Sequence, residues 1–139
     1  MQKHRALTLA FAVFLITVTV LGWIPALADA NGKLFGVFRL TWYNDILHLA
    51  SASWALAAAF LSRSASIFFL RIFGALYLSD GLMGLAIGSG YLDLGVVFHG
   101  IQDLPFGFKL LANGPHIIAG SIALAAGFLW SAGREQPPA

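Results

Sequence analysis

The sequence predicts an all-α integral membrane protein, a bundle of four transmembrane helices made of two repeated helical hairpins. Three observations predict it. The 139 residues are 59% hydrophobic and only 10% charged, with a mean hydropathy of +0.82, which is more apolar side chain than a soluble core of that size buries. Four runs come near the roughly 20 apolar residues that cross a bilayer as a helix. The second and fourth of these runs open with the same ordered set of residues, the mark of a duplication.

The first run, Ala6 to Ala28, follows the basic opening "MQKHR" and ends in "ALADA". This also resembles a secretory signal with an A-x-A cleavage site, but the apolar part, Ala6 to Ile24, exceeds the usual 7 to 15 residues of a signal's core. A retained span is the expectation. The second run is Asn44 to Leu61, joined by the short turn "SRSAS" to the third, Ile67 to Gly88. The fourth is Gly114 to Ala132, and "GREQPPA", residues 133–139, reads as a disordered cytoplasmic tail. Lys3, Arg5, Arg63 and Arg134 fall on one side, with Arg71 just inside the third span, against Lys33, Arg39 and Lys109 on the other. The positive-inside rule therefore places both termini in the cytoplasm and the two long connections outside. The connection "GYLDLGVVFHGIQDLPFGFKLL" is too apolar for a solvated loop and is expected to lie on the membrane surface or cap the bundle.

Laying His48 on His116 matches Ser53 with Ser121, Ala55 with Ala123, Phe60 with Phe128 and Leu61 with Leu129. Upstream of each histidine stand an FG pair, at Phe35 and at Phe106, and an asparagine, Asn44 or Asn113. Two hairpins that each cross twice share an orientation, so a pseudo-twofold axis along the membrane normal relates them. His48 and His116 then lie at similar depth, each within one turn of the outer end of its helix.

The stretches "LFGVF" with "NDILHLASA", "LRIFGALYLSDGLMGL" and "PFGFKLLANGPHIIAGSIAL" resemble the domain of unknown function 4383 family of small bacterial four-span membrane proteins, over residues 6 to 132. In that family a glycine usually stands four residues after the histidine. Gly120 matches it, whereas the first copy has Ala52. The resemblance implies a four-helix membrane protein and no particular activity.

Residues three and four apart share a helix face, so His48 lines up with Ser51, Ala52, Ala55 and Ala59, and His116 with Ala119, Gly120, Ala123 and Gly127. Such small stripes let membrane helices approach closely and point both histidines into the bundle, with Phe60, Leu124, Phe128 and Trp130 towards lipid. The third span adds Gly74, Gly81, Gly84 and Gly88 together with Tyr77 and Asp80. An intramembrane carboxylate costs several kcal/mol unless it is paired, protonated or wet. A polar cluster of Asn44, His48, Asp80, Asn113 and His116 is thus the candidate site.

The plain reading of this cluster is structural: Asn44 and Asn113 cap or nearly cap helices, Asp45 favours a helix N-terminus, Pro115 sits harmlessly in a first turn, and the histidines are interhelical glue. A sharper reading makes His48 and His116 ligands of a b-type haem or another tetrapyrrole, because neutral imidazole binds iron. A third makes His48, Asp80 and His116 part of a small transporter or proton path. The small-residue faces also suit an accessory subunit of a larger membrane complex or a homo-oligomer. The partner in every case is the lipid bilayer, and a net charge of +2 gives no footprint for nucleic acid.

No enzyme is expected. The absence of cysteine removes disulfides, thiolate metal sites and thiol chemistry. No P-loop, G-x-S-x-G or H-E-x-x-H pattern occurs, and the G-x-G at Gly88 to Gly90 lacks a strand before it. His99 with Asp93 and Asp103 on one loop is a weak candidate for a divalent ion.

Overall fold

The computed structural model describes residues 2–132; the tail expected at 133–139 lies outside them. The described chain is all-α, without strands. Its helices are α1 (Lys3–Gly22), α2 (Trp42–Leu61), α3 (Arg63–Ile87), a short α4 (Gly95–His99) and α5 (Phe106–Ala132). Among the described residues, α1, α3 and α5 are long and apolar enough to cross a membrane.

The ends of these helices follow from local chemistry. α1 stops at Gly22, short of the expected Ala28, because Pro25 has no N–H to continue the ladder and holds Ile24 in an extended conformation. A single 3-10 turn, Pro25–Leu27, follows. The first connection then folds on itself: Asp29 Oδ1 accepts from the backbone N–H groups of Asn31 and Lys33, each at 2.8 Å. Phe35 and Gly36 turn through positive φ there, whereas Phe106 and Gly107 of the other FG pair begin a helix. Thr41 is the N-cap of α2, and its backbone N–H donates to Asn44 Oδ1 at 3.1 Å, the bond that the N3 side chain makes in a capping box. Asn44 is therefore the near-cap expected of it. Ser62 alone separates α2 from α3, its Oγ accepting from the Ala65 N–H as an N-cap.

α5 is where expectation and structure part. It begins eight residues before Gly114, so Asn113 and Pro115 lie inside the helix instead of at its start. Asn113 is not a cap: its Nδ2 donates to the Lys109 carbonyl one turn back. Pro115 leaves the Leu111 carbonyl without its helical donor, a cost borne because the helix is held from outside. That hold is α3. A Cβ on Gly74 would stand 2.5 Å from the Leu124 backbone nitrogen, and one on Gly81 would stand 2.7 Å from Ile117 Cγ1. Gly120 lies just as tightly on the Leu78 backbone. These glycines bring the two backbones into contact, the arrangement that membrane helices use when hydrophobic burial between them is weak.

α3 is the central element, packed against α1, α2 and α5, whereas α1 and α5 scarcely touch. Its Phe69, Phe73 and Tyr77 stack in a ladder with ring centroids 4.9 and 4.1 Å apart, and Phe11 of α1 joins at 5.1 Å. Ala52, Ala55, Ala58 and Ala59 of α2 and Ala119, Ala123 and Ala126 of α5 are buried around it, while Phe60, Phe128 and Trp130 point outward. The small faces do look inward, because an alanine stripe is what fits beside a column of rings. At one end of the molecule Arg5 donates from Nε to Ala59 O (2.6 Å) and from Nη2 to Phe60 O, serving carbonyls in the last turn of α2 that have no helical donor. His4 meets Trp130 edge to face at the same end. The two long connections occupy the other end.

The contact geometry makes α3 and α5 sensitive to a single methyl. Gly74→Ala, whose Cβ meets backbone and cannot be relieved by a rotamer, is expected to cost about 1–3 kcal/mol. Gly114→Ala, with nothing within 4 Å of its Cβ, is expected to be neutral or mildly stabilising. Thermal unfolding of the two variants in mild detergent checks the contrast.

Candidate functional site

At the end carrying the long connections the helices splay around a cavity of about 500 Å³. Phe14 and Leu15 of α1, Tyr43 of α2, and Phe73 and Tyr77 of α3 form apolar wall, and all five residues of the expected cluster border it. They do not form one network.

Asp80, 2% exposed, is the best satisfied. His116 Nδ1–H donates to its Oδ2 at 2.6 Å, and the backbone N–H groups of Tyr91 and Leu92 donate to its Oδ1 at 2.7 and 2.8 Å. A buried carboxylate with three donors has recovered most of what water would supply. Gly90 makes this possible, since a Cβ there would lie 2.5 Å from Asp80 Oδ1. Residues 89 to 92 thus close over the carboxylate and pin the α3–α4 connection to the helix it has just left.

His48 is 5% exposed and meets His116 edge to face, with ring centroids 6.3 Å apart. No backbone contact joins α2 and α5, so the imidazole pair spans the gap between them. His116 also packs on Tyr77 at 4.8 Å, and the Tyr77 hydroxyl pairs with Ser51 Oγ at 2.9 Å. The Nδ1 of His48, by contrast, is buried without a hydrogen-bond partner among the described residues. Both histidines lie deeper in their helices than one turn: about 9 Å for His48 and 15 Å for His116 at 1.5 Å per residue. They still meet, because α5 reaches further than α2 towards the end with the long connections.

Asn44 and Asn113 turn elsewhere. Asn44 Nδ2 donates to Asp93 Oδ2 at 2.7 Å, tying the start of α2 to the start of α4, whose first N–H, that of Gly95, donates to Asp93 Oδ1. Asn113 presses its side chain into the space left by Gly84. Asp93 is therefore a structural carboxylate with both oxygens engaged. His99 is exposed at the cavity's rim, and among the described residues no three His, Asp or Glu side chains converge to hold a metal ion. The divalent-ion reading of Asp93, His99 and Asp103 is corrected accordingly. Asp45, near the start of α2, accepts from Trp23 Nε1 at 2.9 Å.

Sequence reasoning missed three participants: the backbone of Tyr91 and Leu92, the Asp93 link, and the three cations Lys33, Arg39 and Lys109 that border the cavity. The "DLG" at Asp93 to Gly95 carries an Asx-turn signal that marks Asp93 as a helix-start residue. Nothing local marks the backbone donors.

The class of protein is set by three helices long and apolar enough to cross a membrane, among the described residues, packed with an internal carboxylate and imidazole pair. A family model described as "Domain of unknown function (DUF4383)" matches residues 5–97. The chain belongs to this family. The match takes in Asn44, His48 and Asp80 and ends before α5, so Asn113 and His116 lie beyond it. No curated protein and no solved structure matches the chain.

The bonding pattern ranks the cluster's members. Asp80→Ala strands two backbone donors and one imidazole, each buried orphan costing about 1–3 kcal/mol. His48→Ala removes a ring with no hydrogen-bonded partner to strand. The Asp80 variant is expected to unfold at the lower temperature of the two in detergent, and a reversed order contradicts the assignment.

Proposed function

We propose that this chain is a non-enzymatic membrane protein that crosses the bilayer four times with both termini in the cytoplasm, a structural or accessory component built from two like hairpins. The observation that carries it is the use made of Asp80. All of its hydrogen bonds go to parts of the chain that hold the fold, so the most charged group inside the helices is spent on joining α3, α5 and the α3–α4 connection. A group engaged in this way is glue first.

Several features support α2 as a fourth span although serine, asparagine and histidine dilute its hydropathy. It is as long as α1, and its outward residues Trp42, Ile46, Leu49, Phe60 and Leu61 are apolar. α1 supports the retained-span reading by giving Phe11, Ala12 and Leu15 to the core. The repeat is supported by the inward small stripes that follow both histidines, even though the FG pairs differ in conformation. Basic residues Lys3, Arg5 and Arg63 gather at the end with the N-terminus, in keeping with a cytoplasmic face.

The tetrapyrrole reading is weaker on this geometry. His116 is flanked by the Tyr77–Phe73 stack, which a macrocycle would have to displace. Proton conduction is likewise disfavoured by an Asp80 whose Oδ1 is held by backbone N–H groups.

With no native cysteine, each introduced thiol is the only one. Asn31→Cys and Ile101→Cys are expected to react with a membrane-impermeant maleimide on intact cells, and Ser64→Cys only after permeabilisation. Labelling of Ser64→Cys from outside together with Asn31→Cys contradicts the four-span reading. A Soret band in the purified protein would reinstate the tetrapyrrole.

A further inference from the structure

Three observations around the cavity remain without a structural purpose. The first is charge. Lys33, Arg39 and Lys109 all border it, and among the described residues the single ion pair is that of Asp80 with His116, so none of the three cations has a carboxylate. The carboxylates that do line the cavity, Asp80 and Asp93, already have both oxygens engaged. The second is the apolar wall between cations and floor, where Lys33 Nζ sits 5.1 Å from the Phe108 ring at the wall's outer edge. The third is His48, 5% exposed and lining the cavity; its Nδ1 is enclosed and without a partner among the described residues, which leaves Nε2 as the ring nitrogen that a ligand can reach.

We propose that the cavity binds an amphipathic acid of medium length, with its acidic head between Lys33, Arg39 and Lys109, its apolar body along Phe14, Leu15 and Phe73, and a hydroxyl at its inner end on His48. The head belongs outside because desolvating an anion is tolerable only where cations and water meet it. The hydroxyl suits His48 because it donates or accepts, whichever imidazole nitrogen carries the proton. The length follows from α5: Lys109 and His116 are seven residues apart, about 10 Å along the axis at 1.5 Å per residue. A volume of about 500 Å³ lies within the roughly 300–1,000 Å³ range of small-molecule sites. The slight contact between α1 and α5 leaves a seam beside the cavity through which such a molecule enters. The proposal rests on the membrane reading above.

The test is calorimetric titration of the full chain in phosphatidylcholine nanodiscs, with empty discs subtracting simple partition, using 10-hydroxydecanoate, decanoate and 1-decanol. Both acids are expected to bind saturably, 10-hydroxydecanoate about fivefold more tightly than decanoate, for one added hydrogen bond. Decanol is expected to show no saturable heat. Lys33→Glu/Arg39→Glu/Lys109→Glu should weaken both acids at least about tenfold, and His48→Phe should abolish the preference for the hydroxy acid. Saturable decanol binding, or acid binding that survives the three charge reversals, overturns the charged head; equal affinity of the two acids on the unmodified protein overturns the inner hydroxyl without needing any variant. Heats matching empty discs overturn the whole proposal. The thiol-labelling pattern separates the two readings: if it holds while binding fails, only the ligand proposal falls, and if it fails, the membrane reading falls first.

Discussion

A buried carboxylate that has to be satisfied organises this molecule. Asp80 sits 2% exposed inside the apolar helix α3, where an unpaired charge would cost several kcal/mol. Its three donors come from α5 and from the connection beyond Gly88, so satisfying it draws together parts of the chain far apart in sequence. Gly88, at φ +85°, turns the backbone sharply enough at the end of α3 to bring Tyr91 and Leu92 back over the carboxylate. Gly90 then lets the chain pass close beside it.

The rest of the packing is compatible with that demand. Glycines at 74, 81 and 120 allow α3 and α5 to meet backbone to backbone, which sets His116 within reach of Asp80. The same closeness keeps α5 helical through Gly114 and Pro115, residues that argue against a helix interior on propensity alone. On the other side of α3, Phe69, Phe73 and Tyr77 fill the space that the alanines of α2 leave, and α1 closes the column with Phe11 and Leu15. Where the packing loosens, between α1 and α5 and between α2 and α5, the cavity opens, and the imidazoles of His48 and His116 meet across the gap between α2 and α5.

How legible this was differs residue by residue. The inward faces of α2 and α5 could be read directly, since a small residue every third or fourth position has one physical use in an apolar helix. Asp80 and His116 were legible as members of one polar cluster, but their pairing was not, and His116 lies ten residues into α5 instead of within its first turn. The start of α5 was misread because "NGP" is a breaker by every local rule, and the compensation comes from α3, which no local rule contains. Asn113 was misassigned for the same reason: an asparagine near a supposed helix start reads as a cap, whereas inside a longer helix it bonds one turn back. The cations at the cavity were legible only as loop charges that weakened a topology argument.

By itself the sequence determined the all-α class, the long apolar helices and the small-residue faces that turn inward, because hydropathy and the 3.6-residue period act within a single helix. Tertiary structure alone decided which polar groups are spent and which are left over. Asp80, Asn44 and Asp93 find donors or acceptors on other elements, while among the described residues His48 Nδ1 has no hydrogen-bond partner and Lys33, Arg39 and Lys109 have no carboxylate. That division is a property of distances between elements, which a linear pattern does not contain.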